Sequence, residues 1–162
     1  MTIKEYNEIV NTYSDSLYRF ALKNIKVVED AQEIVQNAFE KLWINRNSVD
    51  IEKCKAFLFK VAYNYTIDII RKQKKEVDME VVTYNEPQAD NSDFKDLKRI
   101  LERALESISE PQRNSIMLRD YEGYSYQEIG EIMQMSESQV KINIFRGRKN
   151  LQQILGNMED YL

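Results

Sequence analysis

The chain has 162 residues, 43% of them apolar, with a net charge of −4, four glycines, two prolines, one cysteine and no histidine. This length allows one ordinary domain or two small ones, and the scarcity of glycine and proline favours long helices over many short strands. A single cysteine, Cys54, excludes an intrachain disulfide, and without histidine a histidine-based triad is excluded and neither a zinc site nor any other metal or cofactor is expected.

In chain order, residues 3–25 place Ile3, Tyr6, Ile9, Val10, Tyr13, Leu17, Phe20 and Ala21 at helical spacing, which predicts one amphipathic helix or two. Lys4, Glu5 and Glu8 interrupt any signal-peptide stretch, and no segment approaches the roughly 18 apolar residues of a membrane span. A soluble, cytoplasmic protein is expected, with Cys54 a spectator thiol in a reducing compartment. Residues 29–43 predict a second helix with Ala31, Ile34, Val35, Ala38, Phe39 and Leu42 as its apolar stripe, followed by a loop over 45–50. Residues 53–73 predict a third, ending in a basic run at Arg71, Lys72, Lys74 and Lys75.

Residues 76–93 are polar, hold Pro87 and lack periodicity, and read as a flexible linker. A helix over 94–107 follows, capped by Asn91, Ser92 or Asp93, with Leu97, Ile100, Leu101, Ala104, Leu105 and Ile108 as its core face. Pro111 suits the first turn of a helix running to about residue 120.

The strongest local pattern spans residues 123–141. Ser125 and Glu128 match a capping box opening a short helix that ends near Met133. Gln134, Met135 and Ser136 form a tight connection, and Ser136 caps a second helix to about residue 155. Gly130 is small where the two helices approach. This is a helix-turn-helix. On its second helix Val140, Ile144, Gly147, Leu151, Ile154 and Leu155 share the core face. The opposite face carries Ser138, Gln139, Lys141, Ile142, Phe145, Arg146 and Lys149. Lys and Arg suit phosphate and guanine, amides suit adenine, and Ile or Phe can touch a thymine methyl. The competing reading is a solvated basic face with Ile142 and Phe145 packed on a neighbouring domain.

Charge is unevenly placed. Residues 53–75 hold seven cations against Asp68 alone, a net +6, and residues 138–158 hold four cations and no acid, a net +4. The remainder carries −14, which weakens phosphate binding by the chain alone and implies delivery to DNA by another subunit.

With these pieces in this order, the chain resembles the extracytoplasmic-function (ECF) sigma factors, the small two-domain class of RNA polymerase specificity subunits, over nearly its whole length. The resemblance implies an all-α fold of two small helical domains: 1–75 for core-polymerase binding and −10 recognition, and 94–162, a four-helix helix-turn-helix domain, for −35 recognition. It implies that residues 30–43 dock on a coiled coil of the polymerase through Glu33, Gln36, Asn37 and Glu40, one polar helical face that is otherwise an ordinary solvated surface. The family often has an acid where Asn37 stands. Residues 56–72 resemble the family's −10 helix, with Leu58, Val61, Ala62, Tyr65 and Ile69 expected in the core. Its DNA face then holds Lys60, Tyr63, Asn64, Arg71 and Lys74, cations for the backbone and amide or ring for unstacked bases. Tyr63 stands where the family usually has Arg, and core packing and base stacking are both open for it. Trp43 reads as a core or interface anchor. Asn45, Arg46 and Asn47 fall where the family's loop can hold a flipped base, although a plain turn explains them equally.

By the same resemblance the long helix reads −35 through Gln139, Lys141, Ile142, Asn143, Phe145, Arg146 and Lys149, while Gln134 replaces a common glycine and implies a different backbone at the turn. The implied partners are core RNA polymerase, promoter DNA and an anti-sigma factor, in this family often membrane-bound, with no direct membrane insertion by this chain. The rivals are a sigma-like decoy that sequesters an anti-sigma factor, a stand-alone repressor, and an enzyme. The basic faces, the acidic body and the lack of a catalytic constellation argue against them in turn.

Overall fold

The computed structural model describes residues 1–77 and 93–159, with side-chain environments for 1–76 and 96–156. Most of the expected linker, and the expected caps at Asn91 and Ser92, lie outside the described residues. All regular structure among the described residues is helical, and its contacts gather into two units.

The first unit comprises α1 (Ile3–Ile25), α2 (Val28–Ile44) and α3 (Cys54–Val77), each packed on the other two. Helix α1 is one continuous helix. Thr2 and Glu5 form a reciprocal capping box at its start, and the backbone hydrogen bond to Thr2 holds the Glu5 carboxyl below its ordinary pKa. Its end is a left-handed residue, Lys26 at φ 61°. Leu17, Phe20 and Ala21 of α1 meet Ala31, Ile34, Ala38 and Leu42 of α2 and Leu58, Phe59 and Ala62 of α3 in the core, all buried. The Phe20 and Phe59 rings pack edge-on with centroids 5.5 Å apart.

Helix α3 extends four residues past the expected end at 73, and its core face is rotated from the one expected. Phe59, Tyr63 and Thr66 are buried with Leu58 and Ala62, while Val61, Tyr65 and Ile69 are only half-buried. Because apolar residues occur on most sides of this helix, the packing partners choose the face, and the edge-on Phe20 contact draws Phe59 inward. Thr66 avoids an unpaired buried hydroxyl by donating to the Ala62 carbonyl at 2.7 Å.

The second unit comprises α4 (Asp93–Ser107), α5 (Glu110–Ile116), α6 (Tyr126–Met133) and α7 (Glu137–Glu159). Helix α5 starts with Pro111 in its first turn, capped by Ser109, and passes into a π-helical turn at Met117–Tyr121 instead of continuing as α-helix to residue 120. Both α4 and α5 pack on α7. Burial of α4 is confined to Ala104 and Leu105, with Ile108 just beyond its end, so the expected core residue Leu97 is 66% exposed and Leu101 is exposed too. No helix among the described residues is long and apolar enough to cross a membrane.

Candidate nucleic-acid interface

Two local capping boxes build the helix-turn-helix. The Glu128 amide donates to Ser125 Oγ at 3.2 Å and the Ser125 amide donates to Glu128 Oε1 at 3.3 Å, opening α6. Ser136 and Gln139 repeat the arrangement at α7, at 3.1 and 3.0 Å. Between them Gln134 adopts φ 56°, the left-handed region that a glycine enters at no cost, so the turn has a glycine-type backbone and not the different one expected. The Met135 amide donates to the Gly130 carbonyl at 3.0 Å, and a Cβ on Gly130 would lie 2.6 Å from the Met135 carbonyl oxygen. Gly130 therefore lets the turn close on α6.

Helix α7 is held from one side. Val140 and Ile144 are buried, and Gly147 lets α5 approach so closely that an added Cβ would stand 2.7 Å from Ile116 Cδ1. Leu151, Ile154 and Leu155 are half-buried on the same side. The other side is presented outward. Lys141, Arg146 and Lys149 are exposed, Ile142 is 46% exposed and Phe145 is 70% exposed. Arg146 and Lys149 hold no ion pair among the described residues, and Lys141 makes only an exposed contact with Glu137 at 3.5 Å.

Two predicted reading residues are placed differently from the rest. Gln139 is exposed, but its amide oxygen is engaged in the cap. Asn143 is half-buried and its Nδ2 lies 3.4 Å from Met135 Sδ, which corrects its expected outward role. It sits at the margin of the outward face, where the turn captures it.

Sequence reasoning passed over three groups beside this face. Arg119 lies over the Tyr126 ring, 4.5 Å from its centroid, and donates to the Tyr124 carbonyl at 2.8 Å. The Lys141 ammonium lies 5.5 Å from the same ring. Arg148 bridges Asp120 at 2.7 Å. Tyr126, Lys141, Phe145, Arg148, Lys149 and Gln152 line an open groove of about 490 Å³. The ring directly after the cap residue Ser125, with an arginine upstream of Gly123, was the available signal.

In the first unit, Lys60, Asn64, Arg71 and Lys74 are all exposed along α3, with Lys72 and Lys75 beside them. Tyr63 is 7% exposed, which corrects its expected place on the DNA face: it follows Phe59 by one turn and turns inward with it. On α2, Glu33, Gln36 and Glu40 are exposed and Asn37 is half-buried, opposite buried Ala31, Ile34, Ala38 and Leu42. At the end of α2 the Trp43 ring meets Tyr6 edge-on at 4.9 Å and carries the Arg46 guanidinium at 4.2 Å. Arg46 also donates to the Trp43 carbonyl at 2.9 Å, and Tyr6 Oη donates to the Phe39 carbonyl at 2.9 Å. Trp43 is thus a packing anchor, while Asn45 and Asn47 are exposed.

Comparison with known proteins agrees with this division. Residues 9–76 match the family described as Sigma-70 region 2, and residues 98–151 match Sigma-70, region 4. The chain is 30% identical to ECF RNA polymerase sigma factor SigM of Bacillus subtilis, over 90% of this chain and 91% of that one. It is also 30% identical to SigW of the same organism, over 94% and 90%. Its fold resembles the sigma factor RpoE solved with the anti-sigma factor NepR from Bartonella quintana, with a TM-score of 0.75 and 25% identity over 95% of this chain and 98% of that one. CnrH, solved with the cytosolic domain of CnrY, shares the fold with a TM-score of 0.70 and 20% identity over 94% and 88% of the two chains. With both sigma regions in order and full-length relatives on either measure, this chain belongs to the ECF RNA polymerase sigma factors.

Proposed function

We propose that this chain directs core RNA polymerase to its promoters by docking through α2, capturing the opened −10 strand on α3 and gripping the −35 element with α7. In this reading residues 1–75 act as one domain, 76–93 set the separation and thread near the polymerase active site, and 94–162 act as the second domain. The observation that carries the proposal is the outward face of α7, cationic and partly apolar on a helix whose other side is buried. Lys60, Asn64, Arg71 and Lys74 supply the second contact, cations for the strand and an amide for an unstacked base.

The acidic remainder of the chain favours delivery by the polymerase over independent DNA binding. Strand opening costs a few kcal/mol per unstacked step, offset by base capture. The chemistry of RNA synthesis belongs to the polymerase, and the chain works in the cytoplasm. An anti-sigma factor is the remaining partner, since both similar structures are of a sigma factor held by one or by a cytosolic regulatory domain. A decoy for such a factor needs no cationic face on α3 or α7.

The two contacts separate by mutation. Glu33→Lys is expected to lower affinity for core polymerase in a pull-down, and Arg146→Ala to lower output from the cognate promoter with core binding retained. Equal core affinity would remove the docking face from the account, and unchanged output at normal protein level would remove Arg146 from DNA reading.

A further inference from the structure

A helix in the major groove reads adenine best with an amide, which pairs its oxygen with N6 and its NH2 with N7. The outward half of α7 has two amides available for this, Gln139 and Asn143, and both are committed elsewhere. The Gln139 oxygen accepts the Ser136 amide at 3.0 Å, while the Gln139 backbone donates to Ser136 Oγ at 3.1 Å. Turning that oxygen to a base would open the cap of α7. Asn143 is half-buried and turned toward Met135 Sδ at 3.4 Å.

Two large apolar side chains stand free between the cations instead. Ile142 and Phe145 are 46% and 70% exposed, with Lys141, Arg146 and Lys149 around them. The apolar feature that base edges offer in the major groove is the thymine 5-methyl, and the group that suits a cation there is the O6/N7 pair of guanine. Ile142 and Phe145 are three residues apart, about 4.5 Å along the helix axis. That is close to the spacing of about 3.4 Å between successive positions on one strand. They can therefore cover methyls on neighbouring base pairs.

From this arrangement we infer that the chain specifies its −35 element through thymine methyls, held by Ile142 and Phe145, and through guanine, held by Arg146, without amide reading of adenine. The inference rests on the proposal that α7 reads the −35 element. Its logic is subtractive. The cap and the turn remove both amides, and the exposed pair is what the groove then meets.

The test uses holoenzyme assembled from the full chain and core polymerase of its own host. Duplexes randomised across the −35 region are selected by binding, and the enriched element is remade with deoxyuridine for thymidine, which deletes only the methyls. Affinity is expected to fall about fourfold for each methyl buried by the wild-type chain. For the Ile142→Ala, Phe145→Ala double variant the same replacement should change affinity less than about twofold. Both residues are exposed, so the fold is preserved, and the key change is made in the DNA. An enriched element bound equally well with deoxyuridine would overturn the inference and leave the proposed function standing. So would relaxed choice at an enriched adenine in Gln139→Ala. A selection that enriches nothing in the −35 region would overturn both.

Discussion

Replacing Gly130 by valine should unfold the helix-turn-helix before the rest of the chain. An added Cβ at this position stands 2.6 Å from the Met135 carbonyl oxygen and 3.8 Å from the Glu137 nitrogen. Even alanine forces the turn to move by several tenths of an ångström, and the two γ-methyls of valine occupy the space into which it would move. Overpacking of this kind costs about 1–3 kcal/mol, and the rigid backbone of the contact places valine toward the upper end. For a unit of this size such a loss lowers the melting temperature by roughly 10–20 °C. The units can melt separately, so two probes are needed. Trp43 is the only tryptophan and lies in the first unit, so its fluorescence follows α1–α3, whereas far-ultraviolet circular dichroism follows all the helices. The account predicts early loss of part of the dichroism with the Trp43 transition unmoved. Gly156 has nothing within 4 Å of an added Cβ, so Gly156→Ala should be neutral or stabilising by up to about 1 kcal/mol. A melting profile of Gly130→Val within about 2 °C of wild type would refute the close-approach argument.

At the same turn, Gln134→Gly removes a side chain from the left-handed region, where it costs about 1–2 kcal/mol. Allowing for the greater freedom of glycine when unfolded, a net gain near 0.5 kcal/mol is expected, read as a higher urea midpoint, and a lower midpoint would contradict it. Burial raises the Cys54 thiol above its ordinary pKa, and its Sγ donates to the Asp50 carbonyl at 3.4 Å. Less thiolate and no access should make its alkylation by iodoacetamide at pH 8 roughly tenfold or more slower in the native chain than in urea. Equal rates would place the thiol at the surface.

What the sequence discloses of this fold depends on the distance over which each feature is decided. The capping boxes at Ser125 and Ser136 close within three residues, and the buried face of α7 follows from helical period alone, so both were legible. The inward turn of α3 was not. It depends on Phe59 meeting Phe20, far away in the chain, and it carries Tyr63 and Thr66 inside against an expectation built on Val61 and Tyr65. Leu97 illustrates the converse, an apolar position with correct period that finds no core because burial of α4 is confined to its last turns. The candidate face on α7 was recognised from its residue types, yet the diversion of Asn143 to Met135 and of the Gln139 oxygen to the cap required coordinates. Arg119 stacked on Tyr126 was equally hidden, because the π-helical turn at Met117–Tyr121 that precedes Tyr126 has no simple sequence signature.

Run-off transcription tests the central claim most directly. Core polymerase with the purified chain, given a fragment carrying a promoter of its own regulon, should yield a transcript of defined length that disappears when the chain is omitted and weakens sharply with Arg146→Ala. Core polymerase that binds the chain but starts nowhere on that promoter, or starts equally well without it, would contradict the account.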